Sequence, residues 1–236
     1  MISRYKYLRY YSELSYNPYY PQNDYSLINT FYPMNPKDIN ISSTDYSQKI
    51  KNLYDTKALY KVLGVHLEDN FLENHSNKVS FYCSKLGKAL ELEENIIREL
   101  ELAGMLHDIG KAFIPKEIIN KPGLLNEQEW KIVRNHSRIG YDILRSIKEY
   151  SNIAKYTLYH HERIDGTGYP AGLKGEEIPY PSRIIAVVDA YEAMTQDRPY
   201  RKAMSEKEAI AELIRFSGTQ FDKNVVNVFI DKVLKQ

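Results

Sequence analysis

The sequence predicts an all-α fold, and three observations carry that prediction. Apolar residues recur at three- and four-residue steps through most of the chain after residue 45. Helix-capping pairs stand where these stretches begin, as in Asn126 with Glu129 and Ser205 with Glu208. No stretch alternates polar and apolar residues as a half-buried strand would.

Residues 1–45 have a different texture from the rest. Nine tyrosines occur by Tyr32 and four prolines by Pro36, with no glycine. The prolines interrupt any regular element, yet the aromatic content is too high for a solvated linker. The segment is read as draping over a surface: the helical domain that follows it, a second subunit in a homodimer, or a partner protein. Ile50, Leu53, Tyr54, Ala58 and Val62 then mark a connecting helix within residues 46–66. No sensory domain is visible ahead of it. Residues 67–236 are expected to form the main helical domain.

Within that domain the first predicted helix covers Asp69 to Leu90, with Val79, Tyr82, Cys83 and Leu86 spaced for burial and His75 beside them. The next runs from Glu93 to His107, with Gly110 as its terminator. Asn126 and Glu129 open a single long helix whose apolar stripe reaches Leu144 and which contains His136. A shorter helix over residues 151–161 ends in His160 and His161. Gly166, Gly168, Gly172 and Gly175 then fall within ten residues, with positive φ expected at Gly166 and Gly168. The run from Arg183 to Met194 is apolar around Asp189, a carboxylate that needs a partner if buried. Ser205 opens a helix to about Phe216, and Asp222 caps the last one.

Bulk properties exclude several classes. The formal net charge is +1, from 32 basic and 31 acidic residues, so nothing advertises duplex nucleic acid or an anionic membrane. The longest aliphatic run, Ile184 to Val188, is far short of a span of about 20 residues, and the N-terminus offers no apolar signal core. Cys83 is the only cysteine. An internal disulfide is therefore excluded, which suits a cytoplasmic protein.

Six histidines are present, and five of them fall on predicted core helices or their ends: His75, His107, His136, His160 and His161. One histidine on an apolar face is more often a hydrogen-bonded core residue than a ligand. Five in this order, with Asp108 and Asp189, are more simply explained by one shared site. Residues 160–170 read HHExxDGxGYP, and this motif resembles the one that names the HD-GYP family, bacterial phosphodiesterases of cyclic di-GMP on the helical HD phosphohydrolase fold. The resemblance spans about residues 70–225, with every major motif in order.

The resemblance implies an HD-domain helical bundle with a glycine-rich loop and two divalent metal ions, iron or manganese. It implies Asp108 as the bridging ligand, with His75, His107 and Asp189 on one ion, His136 and His160 on the other, and His161 in or beside that shell. A bridging hydroxide would hydrolyse cyclic di-GMP to linear pGpG. Glu162 or Asp165 could orient ligating histidines, loop structure being the alternative. Lys111 resembles the lysine of the HDIGK motif, which steadies charge on the scissile phosphate. Arg198 and Arg201 resemble the basic pair of the RPYR segment, which contacts phosphate, and Tyr169 would line the nucleotide's entrance. Members with a third metal place a glutamate four residues before the first histidine. Here that position is Phe71, about 40° around the helix from His75, while Glu73 lies about 200° away. A binuclear site is expected. Two rival functions remain at this point: a catalytically weak module that signals by docking a partner, and a hydrolase of another cyclic dinucleotide such as 3'3'-cyclic GMP-AMP.

Overall fold

The computed structural model describes residues 70–197 and 202–235, and the predicted connecting helix, the Tyr/Pro-rich segment, Arg198 and Arg201 lie outside them. The described residues form nine α-helices and no strand, with one isolated bridge between Ser217 and Phe221. The domain is an all-α bundle, as expected. No helix among the described residues is long and apolar enough to cross a membrane.

Helices α1 (Asn70–Ala89) and α2 (Glu94–Leu106) form the first layer. Val79, Cys83 and Leu86 of α1 and Leu100, Ala103 and Leu106 of α2 share the core with no exposed surface. Ser80 Oγ donates to the Glu101 carbonyl at 2.8 Å, one polar tie in this apolar seam.

A 3-10 turn over Ile109–Phe113 follows. Gly110 is not the terminator of α2, because the helix already ends at Leu106. Its function is clearance: a Cβ there would lie 2.0 Å from the His136 carbonyl oxygen. The turn can press against the backbone of the third histidine only because position 110 is bare.

After the short helix α3 (Lys116–Ile119), the long helix expected from Asn126 is two helices, α4 (Glu127–Arg134) and α5 (His136–Leu144). The capping box at Asn126 is present, with Glu129 N–H donating to Asn126 Oδ1 at 2.9 Å and Asn126 N–H to Glu129 Oε2 at 2.7 Å. The break falls at Asn135, a weak helix former, and its consequence for His136 is described below. Helix α6 (Ser151–Leu158) stops three residues earlier than the expected 161.

Helix α7 (Tyr180–Thr195) is apolar on nearly all sides, with Ile184, Ile185, Val187, Val188, Tyr191 and Met194 buried. Such a helix belongs in the middle of a bundle. It carries Asp189 and Glu192 to His75. Helix α8 (Glu206–Arg215) opens on the expected Ser205 capping box, and α9 (Lys223–Val228) on Asp222, before a final π turn over Phe229–Leu234.

Candidate metal centre

Five segments bring the predicted ligands together: α1 supplies His75, the end of α2 His107 and Asp108, the start of α5 His136, the turn after α6 His160 and His161, and α7 Asp189. His75, His107, Asp108, His136 and His160 are all at most 5% exposed.

Asp108 sits between two groups. Its Oδ2 lies 3.3 Å from His107 Nε2 and 3.7 Å from His75 Nε2, while its Oδ1 lies 3.4 Å from His136 Nε2. Asp189 Oδ1 joins the first group, 3.2 Å from His75 Nε2 and 3.7 Å from His107 Nε2. In the second group His136 Nε2 and His160 Nε2 are 3.4 Å apart, and His161 packs on His160 with ring centroids 3.9 Å apart. Ligand atoms of Asp108, His136, His160 and His161 all fall within 4.8 Å of one another, as do those of His75, His107 and Asp108.

The helix ends explain how the rings are aimed. The last four carbonyls of a helix have no partner in its own ladder. Three histidines use one each: His107 Nδ1 lies 2.8 Å from the Gly104 oxygen, His136 Nδ1 2.7 Å from Val133, and His160 Nδ1 2.6 Å from Thr157. A carbonyl only accepts, so each Nδ1 carries a proton and each ring turns its Nε2 edge to the centre. The break at Asn135 frees Val133 for this purpose.

This arrangement fits a cation. His136 Nε2 and His160 Nε2 are two acceptors facing each other, and beside them Asp108 Oδ1 is buried without a hydrogen-bond partner. Buried acceptors without donors are costly, and imidazole with carboxylate is a donor set for divalent ions.

A family model for the HD domain matches residues 62–225. The chain belongs to the HD domain family. Among its curated relatives, a cyclic di-GMP phosphodiesterase of Pseudomonas aeruginosa is 41% identical over 177 residues, covering 75% of this chain and 42% of the relative. A 3'3'-cGAMP-specific phosphodiesterase of Vibrio cholerae is 38% identical over 173 residues, covering 72% and 40%. This chain thus spans about two fifths of the length of these relatives. In fold it is similar to an HDG"Y"P protein from Bdellovibrio bacteriovorus, with a TM-score of 0.59 at 16% identity over 98% of this chain and 79% of that one. It is also similar to a cyclic GMP-AMP specific phosphodiesterase of Vibrio cholerae, with a TM-score of 0.55 at 21% identity over 69% and 44%.

The electrostatics of this HD centre divide in two. Burial holds His136 down to about 4 and His160 to about 3, so both are neutral at physiological pH. Burial opposes charge on His107 as well, but Asp108 and Asp189 outweigh it and push that ring up to about 10. The carboxylates create a negative potential that draws protons when no other cation competes. Asp108 itself is held well below the usual carboxylate range, Lys111 and His107 overcoming its burial. Lys111 Nζ contacts Asp108 Oδ2, so the predicted lysine stands at the centre's edge.

Tyr169 lies at the rim, stacked on His161 with centroids 4.8 Å apart, and the Arg134 guanidinium sits 5.3 Å from its ring centre. Arg134 also stands 5.9 Å from the Trp130 ring. Sequence reasoning missed Arg134 and Trp130 as neighbours of this rim, since only the fold brings α4 to the loop.

Glu162 and Asp165 are engaged by the loop and not by the histidines. Glu162 accepts from the N–H groups of Ala171, Gly172 and Leu173 at 2.6, 3.1 and 3.0 Å. Asp165 accepts from Arg163, from the Thr167 hydroxyl and from Thr167 N–H. Gly166 has the expected positive φ of 82°, but Gly168 does not. At Gly168 the constraint is space, because a Cβ would lie 2.4 Å from Arg163 N. A carboxylate outside the predicted ligand set that does meet one of its rings is Glu192, whose Oε2 contacts His75 Nδ1. Its one sequence signal was an acid three residues after Asp189 in an apolar helix.

Proposed function

We propose that this chain is a metal-dependent phosphodiesterase that hydrolyses cyclic di-GMP to linear pGpG at a binuclear centre. The observation that carries this reading is Asp108, whose two oxygens face two separate ligand groups. One carboxylate with an oxygen toward each group is what a shared pair of ions about 3.5–4 Å apart requires. The names of the relatives, cyclic di-GMP phosphodiesterase at 41% identity among them, support the substrate class. The Vibrio cholerae relative supports a second substrate, 3'3'-cyclic GMP-AMP.

His75, His107 and Asp189 would hold one ion and His136, His160 and His161 the other. Iron or manganese suits this donor set. When bound, two such ions acidify water for attack on phosphorus and neutralise charge on the phosphoryl oxygens. The chain's own residues do the rest. Lys111 places an ammonium against the oxygen that gains charge. Arg198 and Arg201 anchor the phosphates through planar guanidinium forks, and Tyr169 offers a ring at the rim for the nucleotide. Phe71, where trinuclear members have a glutamate, favours two ions and pGpG over further cleavage to GMP. Residues 1–45 serve as a docking segment for the domain, a second copy or a partner protein, in a cytoplasmic setting.

The test is metal content per chain together with product identity, on protein purified without oxygen and given cyclic di-GMP or 3'3'-cyclic GMP-AMP. Two iron or manganese ions with accumulating pGpG is the expected result. Bound metal with neither dinucleotide cleaved would replace this reading with a docking module.

A further inference from the structure

The three histidines at helix ends borrow leftover carbonyls for Nδ1, but His75 has no such recourse. It lies inside the continuous helix α1, where the carbonyls ahead of it are committed to the ladder. Its Nδ1 partner comes instead from α7, 117 residues away, in the carboxylate of Glu192. Glu192 is 1% exposed. The end of the Gln196 side-chain amide lies 3.1 and 3.3 Å from the two carboxylate oxygens of Glu192, where only an amide nitrogen could donate, and Lys78 Nζ stands 3.8 Å from Oε1. Glu192 is thus held from behind while it faces the ring. One helical turn before it on α7, Asp189 reaches His75 Nε2 at 3.2 Å.

We infer that Glu192 is a positioning residue for the metal centre: it fixes the Nδ1–H tautomer of His75 and raises the basicity of Nε2 toward the ion in the His75 half. A charged acceptor polarises the imidazole more than a carbonyl does. His75 thus has a carboxylate at Nδ1 where His107, His136 and His160 have carbonyls. The inference rests on the binuclear reading above.

The test is a titration of the metal-free full chain with manganese alone, followed by paramagnetic resonance and by ions bound per chain, alongside the melting temperature of the metal-free protein. Glu192→Gln keeps the size and an acceptor oxygen but removes the charge; Glu192→Ala removes both. The expected result is weaker binding of one of two ions, about 10-fold for the Gln variant and about 100-fold for the Ala variant. The other ion and the metal-free melting temperature of the Gln variant should change little. Unchanged manganese affinity in the folded Gln variant would overturn the inference, as would a lowered melting temperature with affinity intact. Should the wild-type chain bind no manganese, the binuclear reading itself fails, a result distinct from either.

Discussion

The two halves of the centre share Asp108 but are built by different means. The His75 half draws its side chains from α1, the end of α2 and α7, and gathers Asp189 and Glu192 around its histidines. The His136 half takes residues closer in sequence, from the start of α5 and the turn after α6, and among the described residues it has no carboxylate beyond the shared one. In the first, negative charge outweighs burial and holds His107 up at about 10; in the second, burial holds His136 and His160 down at about 4 and 3. On the proposed two-ion reading, charge would attract a cation to one side, and neutral lone pairs would receive one on the other. The contrast teaches that two ligand groups sharing one carboxylate need not be chemically alike.

The largest effect should come from the residue the halves share. Asp108→Ala is expected to lose both ions and to lower turnover by more than about 1000-fold. Elemental analysis showing two retained ions would contradict a bridging carboxylate. His136→Ala then separates the halves: one ion should remain, on the carboxylate-rich side, with turnover down by about 100- to 1000-fold. If His136→Ala loses both ions while His75→Ala keeps one, the assignment of strength is reversed. Lys111→Ala should keep both ions and cost about 100-fold in turnover, since it removes only a charge beside the reacting phosphate. A loss of metal in that variant would recast Lys111 as a support for Asp108.

Much of the frame of both halves was legible in the sequence. Helix α1 matches the predicted range to one residue at each end, and the capping residues Asn126, Ser205 and Asp222 all cap. Capping is a local property, so local sequence reveals it. What escaped were contacts between distant segments. The apolar stripe runs through Asn135 without interruption, so periodicity could not show the break that frees the Val133 carbonyl for His136. Gly110 and Gly168 look like conformational glycines, yet both are bare for clearance, which depends on what packs against them. Glu192 was hidden because α7 is apolar on nearly all sides and has no clear face to read. Glu162 and Asp165 were plausible orienting acids by proximity to His160 and His161, but the loop's own N–H groups and Arg163 claim them.

That last pair gives the smallest and most specific test of the comparison, because the loop it holds meets the His136 half through Tyr169 on His161. Arg163 reaches Asp165 Oδ2 at 2.8 Å and Gln220 Oε1 at 2.7 Å, and Asp165 N–H donates to the Thr219 carbonyl at 2.8 Å, so the loop is pinned to the turn after α8. Burial disfavours charge on Asp165, but the bonds from Arg163 and Thr167 outweigh it and hold the carboxyl below its ordinary value. A depressed acid contributes stability above its unfolded value of about 3.9 and loses it as pH falls through the folded one. Because Asp165 is partly exposed, Asp165→Asn should cost about 1 kcal/mol or less, a melting shift of about 2–4 °C. The gap between wild type and variant should hold near neutral pH and close as pH falls below about 4. A gap that persists in acid would mean that side-chain shape, and not charge, pins the loop. Two ions should remain bound in this variant, since the ring of His160 is aimed by the Thr157 carbonyl and not by the loop. Loss of the ion from the His136 half alone would show that its aim depends on the loop after all.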